Sequence, residues 1–343
     1  MAQINKPSEY FNTVLWTTDG TGNKALTTGH STDMVWIKFR DFAYDHRIYD
    51  DVRGVTKKII PNKTDAESTT TDLASFDANG FTVGNNLNTS GEGGLVGWSW
   101  KANGAGVSNT DGSITSTVSA NTTSGFSIVS YTGTGATATI GHGLGVTPAM
   151  FIVKSRSSAG TAWMTWSKHF SSATDTFLRL NTTASIQTIS NFWGTSAPNS
   201  TTFGVGAGGY DNNVSGATTI AYCFAEKKSF SKFGKYTGNG NANGPFIYTG
   251  FKPAFVIIKV YSGNTGGWDM YDNKRVTVNP NNVFLQANDA GAESTGDSVD
   301  FLSNGFKIRS TSGNQNGSGN LHIYMAFAEN PLVGTNGVPA TAR

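Results

Sequence analysis

Charge is scarce in this sequence. Only 14% of its 343 residues are charged, against about 25% in an ordinary globular protein. A net charge of +2 gives no long-range field to gather nucleic acid or anionic lipid, so neither is expected as a main partner. Cysteine is nearly absent: Cys223 stands alone, which excludes an internal disulfide and fits folding in a reducing compartment. No apolar stretch approaches the roughly 20 residues that span a bilayer, so membrane insertion is not expected. The opening Met1 to Pro7 has no signal-peptide core, and release is expected by another route such as cell lysis. Nor is there an i, i+3, i+4 apolar stripe ten residues long, so helices are not expected.

What the chain does have is one short apolar run written three times. The copies are Met34-Val35-Trp36-Ile37-Lys38, Met150-Phe151-Ile152-Val153-Lys154 and Phe255-Val256-Ile257-Ile258-Lys259. Each is rich in β-branched or aromatic residues and reads as a strand with both faces covered. Other landmarks recur in order around it. An aromatic residue and a Gly-x-Gly turn come before it, as Trp16 to Gly22, Tyr131 to Gly135 and Tyr236 to Gly240. Later a strand leads into Asn62, Asn181 and Asn288. Asn79-Gly80 and Asn304-Gly305 signal hairpins, and the second copy has a longer turn through Pro198. Each unit closes on an alternating strand, Trp98-Ser99-Trp100, Tyr222-Cys223-Phe224 and Met325-Ala326-Phe327.

With 42 glycines and 9 prolines the turns are mostly glycine turns. The expected fold is all-β: three tandem β-sandwich repeats of jelly-roll kind, each about 100 residues long. The units are residues 9–102, 125–229 and 230–329. Residues 103–124 form a Gly/Ser/Thr-rich spacer or an added edge strand. Residues 1–8 and 330–343 are polar arms expected to reach neighbouring subunits.

Candidate chemistry is thin. Gly133-Thr134-Gly135 imitates a dinucleotide fingerprint, but a β-prone, glycine-broken stretch follows where that motif needs a helix, so a structural turn is expected. Asp41, Asp45, His46, Asp50 and Asp51 form the densest polar cluster. Its spacing matches no calcium loop, and it reads as a solvated loop. The five histidines, 30, 46, 142, 169 and 322, never take a zinc spacing. No Gly-x-Ser-x-Gly elbow supports an acyl-transfer triad. The close carboxylate pairs Asp65/Glu67, Asp269/Asp272 and Glu293/Asp297 are of a kind that loops give by chance, so glycoside hydrolysis is weakly supported. No catalytic, cofactor-binding or metal-ligating residue is assigned, and the protein is expected not to be an enzyme.

Aromatic rings beside Asn and Asp side chains suit sugar recognition, although rings also fill sandwich cores. Trp163 and Trp268 occupy matching places and are expected in the core, whereas Trp193, Trp166 and Tyr261 are the expected glycan-contacting residues.

Several phrases resemble a known family: Ile4 to Thr13, Ile128 to Gly135, Ile220 to Glu226 and Gly337 to Arg343. Together they look like the virion structural proteins, often labelled tail fibre or tail protein, of tailed bacteriophages met mainly in marine bacteria. The resemblance implies a non-enzymatic protein of the virion exterior, assembled in the host cytoplasm and released by lysis. Its expected partners are itself, as a homotrimer, other virion proteins and host surface polysaccharide. Capsid decoration or head fibre is the alternative placement, and a polysaccharide-degrading tailspike the weaker one. No coiled-coil or collagen-like shaft is present, so an appendage would be compact.

Overall fold

The computed structural model describes residues 3–334 and 339–341. It is all-β and antiparallel. One strand order occurs three times, built from β1 (Phe11–Thr17), β2 (Met34–Phe39), β3 (Arg47–Asp50), β4 (Gly94–Trp100), β5 (Phe126–Thr132), β6 (Met150–Ser155), β7 (Met164–Ser167), β8 (Thr218–Phe224), β9 (Ser231–Thr237), β10 (Phe251–Ser262), β11 (Trp268–Asp272) and β12 (Leu321–Pro331). The main sheets run β1-β4-β2-β3, β5-β8-β6-β7 and β9-β12-β10-β11. In each, the repeated apolar run pairs with the closing aromatic strand, with Met34 opposite Trp100, Met150 opposite Phe224 and Phe255 opposite Phe327.

Smaller strands pair across from each main sheet: 24–27 with 80–83, 138–141 with 202–205 and 246–248 with 305–308. Placing the first strand beside the last, and the second near the end beside its counterpart, is the wrap of a jelly roll. Residues 103–124 are not a free spacer. Ser116–Asn121 pairs with β5 and Val107–Asn109 pairs with Ser116–Asn121 in turn, so the two extend the second sheet to its edge.

The two-residue turns before Gly80 and Gly305 form as expected, but the glycines answer to a neighbouring strand. A Cβ on Gly80 would lie 1.9 Å from the Leu26 carbonyl oxygen, and one on Gly305 would lie 2.0 Å from that of Ile247. Gly80→Ala is expected to cost more than about 1 kcal/mol, since its φ is also +153°. A lower urea midpoint at unchanged slope is the readout.

Alternation sends one face of each main sheet into its own sandwich. The other face goes elsewhere. Trp36, Trp98 and Trp100, Ile152, Tyr222 and Phe224, and Phe255, Met325 and Phe327 all belong to one central apolar cluster fed by all three segments. Phe11 stacks on Phe327, and Phe255 packs on Trp98 and Trp100. The voids along this shared core are about 10 Å³ each, no larger than a single water. The three sandwiches are therefore not beads; they surround one core that none of them has alone.

The described parts of both ends fold back on this body, which corrects their reading as outward arms. Ile4 is buried in the central cluster and its amide donates to the Lys228 carbonyl. Asn330 and Pro331 belong to β12 and pair with Lys252 and Phe251. The Ala340 amide donates to Leu332, and Gln3 Nε2 donates to the Val333 carbonyl. Residues 1–2, 335–338 and 342–343 lie outside the described residues.

Candidate functional site

The polar side chains that recur once per segment are spent on joining the segments. His46, Trp163 and Trp268 hold equivalent places, across from the lysine that ends each apolar run. Their backbone amides donate to Asn62, Asn181 and Asn288 Oδ1 at 3.0, 2.9 and 2.8 Å within the segment. Their ring N–H groups leave it. Trp163 Nε1 donates to Ile60 O at 2.9 Å, Trp268 Nε1 to Arg179 O at 3.1 Å, and His46 Nε2 lies 3.0 Å from Gln286 O. The acceptor is in each case two residues before the recurring Asn, one segment round. The second segment reaches the first, the third the second, and the first the third, so the ring closes.

His46 plays the indole's part as a neutral ring. Trp36 Nε1, which can only donate, points at His46 Nδ1 at 2.9 Å. That leaves the proton on Nε2, aimed at Gln286. Burial, with Lys38 beside it, pushes its pKa down to about 3.

The terminal lysines follow the same cyclic rule in two of three cases. Lys154 Nζ donates to Thr161 O in its own hairpin and to Thr64 O of the first segment. Lys259 Nζ donates to Gly266 O and to Thr183 O of the second. Lys38 is held by Phe39 O and Phe42 O within its own segment. All three are buried, and burial pushes each pKa down to about 8.

Unfolded, these lysines titrate near 10.4, so from about pH 8 to 10 the unfolded chain binds more protons and stability rises with pH. Each contributes on the order of 1–3 kcal/mol of rise. The buried Cys223 thiol, pushed up by burial, opposes them, one group against three. Above pH 10 the buried tyrosines, held protonated by burial as Tyr131, Tyr222 and Tyr271 are, reverse the trend. Denaturant melts at pH 7.5, 8.5 and 9.5 should show a rising midpoint, with a shallower rise in Lys154→Met.

Two further sets of positions sit at each seam. At the seam between first and second segments, Asp50 and Arg53 form a buried ion pair on which Tyr222 OH donates to Asp50 Oδ2 at 2.6 Å. Arg156 makes a two-pronged contact with Glu67 at 2.8 and 3.0 Å. Between third and first, Asp272 and Arg275 form the pair, with Trp98 Nε1 donating to Asp272. Arg40 clasps Glu293 there at 2.7 and 3.2 Å. Between second and third every member changes together. Ser167 and Phe170 replace the acid and base, Met325 replaces the donor, and Tyr261 and Ile186 replace the Arg–Glu clasp. The backbone bond survives in all three, from Glu67 N to Arg156 O, Ile186 N to Tyr261 O and Glu293 N to Arg40 O.

The expected site residues must be re-placed accordingly. Trp193, Trp166 and Tyr261 are 0%, 3% and 6% exposed, so none offers a ring face to a sugar. Trp166 stacks on Phe151, Trp193 meets Phe151 edge-on and donates to Thr176 O, and Tyr261 packs on Phe170 at a seam. Trp163 and Trp268 are in the core, as expected.

The acidic cluster is not a solvated loop as a whole. His46 and Asp50 are seam residues, Asp45 pairs with Lys63, and Asp41 accepts from the Gly94 amide. The carboxylate pairs are dispersed too. Asp269 takes hydrogen bonds from Gln286 and Gln315 and is pushed up to about 6 by burial, while Asp297 accepts from Ser310 and Ser312. Among the described residues no group of three His, Cys, Asp or Glu is placed to hold a metal.

One recurring set escaped the sequence reading. Asn88, Asn213 and Asn316 are fully buried, and each accepts from a backbone amide of the Gly-x-Gly turn, at Asp19, Thr134 and Asn239. The preceding residue accepts from the turn's aromatic side chain, Trp16, Tyr131 or Tyr236. The turn through Gly133 and Gly135 is thus structural.

Fold and seams together define an all-β protein whose three sandwiches are closed into a ring around a shared apolar core. The chain belongs to the family described as a domain of unknown function, DUF7483, whose family model matches residues 6–331. No curated protein and no solved structure matches it.

Proposed function

We propose that this chain is a non-enzymatic structural protein of a bacteriophage virion exterior, a compact tail appendage or capsid-surface component. The phrases that resemble phage virion proteins support this placement. The observation that best supports it is the investment of the recurring polar groups in the seams: charges, indoles and lysines that in an enzyme would face a cleft here tie sheet to sheet. Such a body suits a part that must stay intact outside a cell.

A homotrimer is the expectation where sheet edges need covering by other chains. One chain covers the second face of each main sheet with its own other two segments, so we propose that the unit presented to other virion proteins is a single chain carrying its own approximate threefold. Light scattering after size exclusion should give a mass near 36.3 kDa; a mass three times larger would restore the homotrimer. Immunogold labelling of intact particles with antibody to this chain is the test of the function itself. Gold on the head or the tail supports it, and particles without label overturn it.

A further inference from the structure

The three segments can be compared position by position, and one surface feature appears in the third alone. On the second strand of each segment two residues face outward on either side of Leu26, Ile140 or Ile247. They are Ala25 and Thr27, then Thr139 and Gly141, which residues 109–113 cover in the second segment, and then Phe246 and Tyr248, which are 46% and 58% exposed. Tyr248 lines a depression of about 330 Å³ together with the link between second and third segments, Lys227 to Ser229, and with Lys232 and the carboxylate of Glu226. That volume lies in the range of small-ligand pockets.

The charges there are unbalanced. Lys232 lies 3.4 Å from Glu226, which Lys168 also engages at 2.7 Å. Lys227 and Lys228 have no acidic partner among the described residues. The backbone is committed to this shape: Ser229 has φ +64°, one of only two non-glycine residues at positive φ among those described. Strain held beside a concave polar surface is a pointer to a ligand. A ring face and two ammonium groups without an acidic partner are the complement of a sugar that carries a carboxylate, with stacking on the pyranose and charge on the acid; the Thr249 and Ser231 hydroxyls of the lining are bonded to backbone groups of the chain itself.

We infer that the depression between Tyr248 and Lys227–Lys228 binds an acidic saccharide of the uronic-acid class. This deepens the exterior placement proposed above by naming what the surface would meet there, but binding is tested on the isolated chain and stands apart from the location of the protein in a particle.

The probe is a galacturonic acid tetramer titrated calorimetrically into the full chain at low salt, with the carboxyl-reduced neutral tetramer as control. The expected result is saturable binding of the acid, at least tenfold weaker binding of the neutral sugar, and at least tenfold loss in both Tyr248→Ala and the double variant Lys227→Gln, Lys228→Gln. The melting temperatures of these surface variants should stay at the wild-type value. Absence of binding overturns the inference, as does equal affinity for the neutral sugar. Unchanged binding by Tyr248→Ala also overturns it, since polyanion adsorption by lysines alone would then suffice. Should a variant fail to fold, Tyr248→Phe and Lys228→Arg are the milder pair, expected to retain binding within threefold.

Discussion

Arg53→Ala is expected to lower the unfolding free energy by about 3–5 kcal/mol, because it leaves Asp50 as an uncompensated buried charge, while Glu67 keeps Arg156. Arg53 has no exposed side-chain surface, and neither has Asp50. Its guanidinium also donates to Ile48 O, Lys57 O and Tyr222 OH, so one truncation strands acceptors in two segments. Arg275→Ala should cost a similar amount at the third-to-first seam, where Asp272 would lose its partner while Trp98 kept donating to it. The matching change at the second-to-third seam, Phe170→Ala, removes a ring and no charge, and belongs to the range for large-to-small apolar changes. Chemical denaturation of the three variants measures all of this.

Trp163→Ala is expected to cost about 3–5 kcal/mol, the range for truncating a buried aromatic. Trp163→Phe keeps most of the volume and loses one N–H, leaving the Ile60 carbonyl unmet; about 1–3 kcal/mol is expected. Trp163→His is the informative variant. The first segment already solves the same position with His46, so a histidine at 163 can send Nε2–H to Ile60 and should lose less than the alanine variant. If alanine, phenylalanine and histidine at 163 were equally harmful, volume alone would account for the position and the hydrogen bond would carry nothing.

These expectations rest on residues of very different legibility. The three apolar runs and their closing strands could be read directly, since both-face burial demands β-branched or aromatic residues at every position and the same demand recurs in each segment. The lysines ending those runs were visible too, but a lysine at a strand end ordinarily sends its ammonium to water. Only the arrangement in space shows that carbonyls receive it, from another segment in two of the three cases.

The seam pairs were not legible because they recur at only two of the three seams. Asp50 and Arg53 become Ser167 and Phe170 in the next segment, and nothing in one sequence says that Tyr222 and Met325 change in step with them. For the same reason the acidic run around His46 passes for a wet loop: its partners, Asn62, Lys63, Tyr222 and Gln286, are remote in the chain.

The expected sugar-binding rings failed on a related point. Trp193 lies in a glycine- and proline-bounded stretch that looks like a surface loop, yet that stretch closes over Phe151. The exposed rings, Phe246 and Tyr248, stand in a segment too short to attract notice. Asn88, Asn213 and Asn316 had a usable signal, since each falls nine or ten residues before Trp98, Tyr222 or Met325. That spacing runs through loops, where registers are hardest to trust.

The claim that matters most is that one architecture of seam was filled three times, twice with charge and once with apolar groups. It can be tested by moving the apolar solution to the first seam: Asp50→Ser, Arg53→Phe, Glu67→Ile, Arg156→Tyr and Tyr222→Met, singly and together. Denaturant unfolding of the five single variants and the fivefold variant gives the coupling. The expected result is that the fivefold variant loses less than half of the summed single losses, since every stranded charge is removed along with its partner. Losses that add to within about 0.5 kcal/mol would show that these positions do not act as a set, and would contradict the equivalence of the three seams.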